Sequence, residues 1–131
     1  MNTKRAAACA ALLLATGGCV SRHWTAPEAD GVVYDQRTGR PLPGVEVYRQ
    51  LGRYQQEGVG STGLDGRFLI QPERSWKLMM QRTDPGYFGS YVFRKDGYVS
   101  VTIPYGVVTG GATSSRPPGM GTQRIELKPE R

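Results

Sequence analysis

From residue 31 onward the apolar residues stand at alternate positions or in short runs, and turn-forming residues interrupt them about every ten positions. That spacing predicts short β-strands, because successive side chains in a strand point to opposite faces. Residues 31–35 form the first run, and Asp35 and Gly39 supply turn chemistry after it. Pro41, Leu42, Pro43 and Gly44 then make an extended bend into a second strand, with Val45 and Val47 on one face and Tyr48 on the other. Residues 58–62 and 67–70 flank an Asp65-Gly66 turn, which predicts a hairpin with Phe68 and Ile70 facing the core. Further strands are predicted over 76–81, 87–93, 98–103 and 122–127, with Val99, Val101, Ile103, Ile125 and Leu127 inward. Residues 104–121 are dominated by Gly, Pro, Ser and Thr, a length that in compact domains marks functional or mobile loops.

Composition agrees with this pattern. Eighteen Gly and nine Pro among 131 residues punctuate the chain too often for long helices, and 38% hydrophobic residues supply one small core. The expected fold class is therefore all-β, in one domain. A single His and two Cys give no zinc site of the ordinary Cys/His type and no Ser-His-Asp arrangement, so neither a metal nor a cofactor is expected.

Residues 1–18 carry Lys4 and Arg5, then an apolar run of about ten residues, then the small residues Thr16, Gly17 and Gly18 ahead of Cys19. The run is shorter than the roughly 20 residues a spanning helix needs, so the segment reads as a signal peptide. The sequence Ala15-Thr16-Gly17-Gly18-Cys19 resembles the bacterial lipobox, which implies cleavage before Cys19 and acylation of its sulfur. Redox logic points the same way. Cys9 lies in the removed segment, which leaves Cys19 as an unpaired thiol in an oxidising compartment unless its sulfur is occupied.

Cleavage there leaves 15 basic against 11 acidic residues, a formal charge of about +4 in place of +6. Val20 after the Cys implies, by the same resemblance, the outer membrane, with the protein facing the periplasm. Residues 19–30 show no hydrophobic period and contain Pro27, so they are expected to be a tether in which His23 is solvated. Trp24 is expected at the membrane interface or docked on the domain edge. The folded domain is expected over 31–131.

Three separated pieces carry a family resemblance. Residues 31–47, with Asp35, Thr38, Gly39, Pro41, Leu42 and Gly44, residues 61–68, with Thr62, Gly66 and Phe68, and the later Gly97-Tyr98 are similar to the carboxypeptidase regulatory-like domain family. The resemblance spans about residues 30 to 128. It implies a seven-stranded, transthyretin-like β-sandwich with Greek-key connections. The polar stretch after Tyr48, the segment 87–93 and the loop after Pro104 depart from the family pattern.

Three function classes follow. Ser61, Ser90, Asp65, Glu73, Asp84 and Asp96 stand in turn contexts that explain them without catalysis, so the chain is expected not to be an enzyme. Seven Tyr beside three Phe suit a contact surface, and Tyr48, Arg49, Arg53 and Tyr54 are the candidate binding surface for a glycan or peptide. The favoured class is a lipid-anchored sandwich with a structural or accessory role, docking on an envelope protein through a sheet edge or the long loop. Nucleic-acid binding is not expected, because the charge excess is mild and the chain is exported.

Overall fold

The computed structural model describes residues 19–79, 85–109 and 118–131. Among them nine strands form: β1 (Cys19–Ala26), β2 (Glu28–Asp35), β3 (Glu46–Gln50), β4 (Gln56–Ser61), β5 (Arg67–Ile70), β6 (Glu73–Met79), β7 (Pro85–Arg94), β8 (Val101–Thr109) and β9 (Gly119–Leu127). The alternation seen in the sequence sets their inner rows. Ala29 and Val33 of β2, Phe68 and Ile70 of β5, and Ile125 and Leu127 of β9 are buried from one sheet. Val47 of β3 and Tyr91 and Phe93 of β7 are buried from the other.

Those rows belong to a three-stranded sheet in the order β5-β2-β9 and a four-stranded sheet in the order β4-β3-β7-β8. One apolar core joins them, and the Phe68 and Phe93 rings meet edge to face across it with centroids 5.1 Å apart. The protein is thus all-β with a sandwich-like core. The β1–β6 ribbon is a third, two-stranded sheet, so the described strands number nine where seven were expected.

The turn after β2 is held by side-chain capping. The Asp35 carboxylate accepts from the amides of Arg37 at 2.7 Å and Thr38 at 3.2 Å, and from the Tyr98 hydroxyl at 2.8 Å. Since Val99 and Glu130 pair with Lys128 and Gly97 through their backbones, Asp35 ties the first turn to the C-terminal segment.

Four expectations are corrected. Residues 19–30 are not a tether: they form β1 and the start of β2, His23 is 1% exposed, and Trp24, Ala26 and Ala29 lie in the core. Side chains on both faces are buried around His23 and Trp24, which erases the alternation that would have marked a strand. The Asp65-Gly66 turn forms, with Gly63 accepting from Gly66 at 3.0 Å and donating to Arg67 at 2.9 Å, but it is not a two-stranded hairpin. It carries the chain from one sheet to the other, because β4 pairs with β3 whereas β5 pairs with β2. Gly66 takes φ +74° there, and a Cβ on it would press on the Val33 carbonyl and Pro41 at 2.8 Å.

β8 departs from the sequence pattern at both ends. It begins at Val101, leaving Val99 48% exposed and Tyr98 in an isolated bridge to Pro129. It also runs on to Thr109, and β9 starts at Gly119, so much of the expected loop 104–121 is strand; residues 110–117 lie outside the described residues. Pro104 is tolerated because β8 is an edge strand, where a missing amide removes no second ladder bond.

The hydrogen bond from Tyr98, against the opposing effect of burial and with help from the amides of Thr38 and Arg37, holds the Asp35 pKa below the ordinary carboxylate value. Asp35 therefore stabilises the fold fully above the ordinary carboxylate range, and this contribution is lost as pH falls through the lowered value. Asp35→Asn is expected to lower the urea midpoint at neutral pH and to flatten its decline toward acid pH; an acid limb identical to that of the native chain would contradict the assignment.

Candidate functional site

The inner row of β3 does not end with its valines. Val45 and Val47 point into the core, and the same alternation turns Arg49 inward, where it is 7% exposed. A buried guanidinium demands compensation. Glu57, its register partner on β4, and Glu73 of β6 both pair with it, and their side chains remain 50% and 43% exposed. Burial works against the Arg49 charge, but the hydrogen bonds and charges of Glu73 and Glu57 more than restore it and raise its pKa above the ordinary value. One cation is held between two carboxylates.

Beneath and beside this cluster lie three tyrosines. The Tyr91 and Tyr105 rings stand 4.8 Å apart and Tyr87 and Tyr105 6.3 Å apart, all buried. The Tyr91 hydroxyl donates to the Pro27 carbonyl at 3.0 Å, and burial pushes all three phenols up, so they stay neutral at physiological pH.

Register between β7 and β8 sets the rim. Phe88 faces Gly106 and Gly89 faces Tyr105, so each glycine leaves the space that the opposite ring fills. A Cβ on Gly89 would overlap the Tyr105 hydroxyl, and one on Gly106 would overlap Phe88. The result is a cleft of about 310 Å³ lined by Thr25, Arg49, Leu51, Glu73, Phe88 and Tyr105. Phe88 is 72% exposed and Leu51 44% exposed at its mouth. Apolar contact area and the Glu73 carboxylate at one mouth can hold an extended peptide segment.

The four residues expected to form one binding surface are not brought together. Arg49 faces the core and Tyr48 the opposite side of the sheet, where its hydroxyl bonds Glu46 and the Arg94 guanidinium lies 5.0 Å from its ring. The hydrogen bond to Glu46 raises the Tyr48 pKa. Arg53 and Tyr54 are exposed in the connection between β3 and β4, Tyr54 at 92%. Assigning Arg49 to the outer surface is corrected by the alternation that Val45 and Val47 had already set. Glu57, Glu73, Phe88 and Tyr105 were missed as a group, and only Arg49 at an inward position signalled that acidic partners were needed. Cys19 is the first residue of β1, opposite Met79 of β6.

No family model matches the chain, and no curated protein matches it. Among solved structures it is similar to 3-chlorocatechol 1,2-dioxygenase from Rhodococcus opacus 1CP, with 15% identity over 93% of this chain and 78% of that one, at a TM-score of 0.45. The expectation that the chain is not an enzyme is withdrawn. A likeness this distant assigns no activity in its place.

The two rim glycines separate by what their neighbours can do. Gly89→Ala must displace the buried Tyr105 ring and is expected to cost about 1–3 kcal/mol of stability. Gly106→Ala presses mainly on the exposed Phe88 ring, which can turn away, and is expected to cost less. Urea denaturation of both variants is the measurement; an equal or larger loss for Gly106→Ala would sink this account of the rim.

Proposed function

We propose that this chain is a lipid-anchored cell-envelope protein, held through Cys19 at the periplasmic face of the outer membrane, whose sandwich serves as a structural or accessory interaction module. In this reading the sandwich is of the carboxypeptidase regulatory-like, Greek-key type. One observation carries it: Ala15-Thr16-Gly17-Gly18-Cys19, behind a basic start and a short apolar run, is similar to the lipobox that marks a Cys for cleavage and acylation. Cys19 lies in β1 opposite Met79 of β6, so acyl chains on it would enter the bilayer directly beside the fold. Several acyl chains on one residue suit stable anchoring, which one chain does not supply. Edge strands β4, β5, β8 and β9 offer the main-chain groups that strand addition by a partner would use.

A second reading places peptide binding at the cleft. The observation favouring it is Phe88, a large apolar side chain left 72% exposed beside the Arg49 cluster.

Cys19→Ala is expected to make the protein extractable from envelope membranes by high salt, and retention in salt-washed membranes would overturn the anchor. For the cleft, a photoreactive residue in place of Phe88 is expected to capture an envelope polypeptide in intact cells. Reaction with lipid or water alone would remove this second reading.

A further inference from the structure

We propose that the β1–β6 ribbon is a second membrane contact, an aromatic and basic face that lies on anionic lipid headgroups beside the anchor. The inference rests on the anchor reading above and adds a surface to it. Register places Arg22 opposite Trp76 and Trp24 opposite Arg74, so the four side chains share one face of the ribbon. Each guanidinium stacks on the ring across from it, Arg22 at 5.9 Å and Arg74 at 4.0 Å from the centroid. The two pairs differ in burial. Trp24 is 8% exposed and part of the core, whereas Trp76 is 69% exposed beside an exposed Arg22.

An indole so exposed is poorly placed in water and well placed at headgroup level, where its ring meets apolar and polar surroundings together. Distance brings it there. Arg22 follows Cys19 by three residues, about 10 Å at the rise of a strand, which is comparable to a headgroup layer. With Cys19 acylated, the Arg22–Trp76 pair would be held at the bilayer surface. Charge agrees with an anionic surface: this face carries Arg22 and Arg74, and the ribbon's one acidic residue, Glu73, is engaged by Arg49.

Vesicles whose lipids are brominated on the acyl chains test this, since bromine quenches tryptophan that reaches the bilayer. The full chain carrying Cys19→Ala is mixed with vesicles of phosphatidylglycerol or of phosphatidylcholine. Residues 1–18 contain no Trp, and Trp24 is shielded, so the signal reports Trp76. Quenching is expected on phosphatidylglycerol, to weaken with salt, and to vanish in Cys19→Ala/Trp76→Phe. Adding Arg22→Gln is expected to weaken binding about fivefold. Quenching that persists in the Trp76→Phe chain, or that is equal on phosphatidylcholine, would overturn the proposal. So would a photoreactive residue at position 76 that captures an envelope protein in place of lipid. Because Cys19 is already replaced, these outcomes are independent of acylation, whose failure is read separately by fractionation.

Discussion

A guanidinium stands at the end of the inner row of β3, and much of the molecule's arrangement follows from having to compensate it. Leaving a buried charge without partners costs on the order of 3–5 kcal/mol, more than most single contacts in a small domain provide. Arg49 meets that demand with Glu57 from the neighbouring strand and Glu73 from β6, a strand outside both main sheets. The second ion pair links β6 to β3, and through β6 it links β1. Both carboxylates stay half exposed, and of the two Glu73 lines the cleft and offers it an acceptor.

This placement has a consequence for how the two ends of the molecule are used. The ribbon leaves the core where Trp24 and His23 are buried and reaches Cys19 with its Arg22–Trp76 pair exposed. In the proposed anchored state the fold is held close to the bilayer, with no flexible spacer, so its orientation is limited. The cleft is lined by Phe88 and Tyr105 of the four-stranded sheet together with Thr25 and Glu73 of the ribbon, and the Asp35–Tyr98 bond joins the first turn to the C-terminal segment. A partner would meet a pre-shaped surface and lose little ordering entropy in the protein on binding.

Legibility in the sequence varied with range. The inward positions Val45, Val47, Phe68, Ile70, Ile125 and Leu127 follow from alternation alone, and all six are buried. The capping by Asp35 and the turn at Gly66 follow from local chemistry and are found. Arg49 obeys the same alternation, yet an eye for polar surface residues puts it outside. The strand around His23 and Trp24 was hidden because burial on both faces removes the period-two signal. Residues 104–109 and 119–121 read as loop because Gly and Pro at an edge strand resemble Gly and Pro in a turn.

Sequence by itself determined the strand class, the turns and the inner face of most strands, because side-chain alternation and backbone preference act over neighbouring residues. Tertiary structure decided the rest. Whether β5 follows β4 in one sheet or crosses to pair with β2 depends on which inner rows fill a common core, and no local pattern carries that choice. The partners of Arg49 lie 8 and 24 residues away along the chain. The basic excess and the Trp content with which the sequence is written became an oriented face only when β1 paired with β6 and set Arg22 against Trp76.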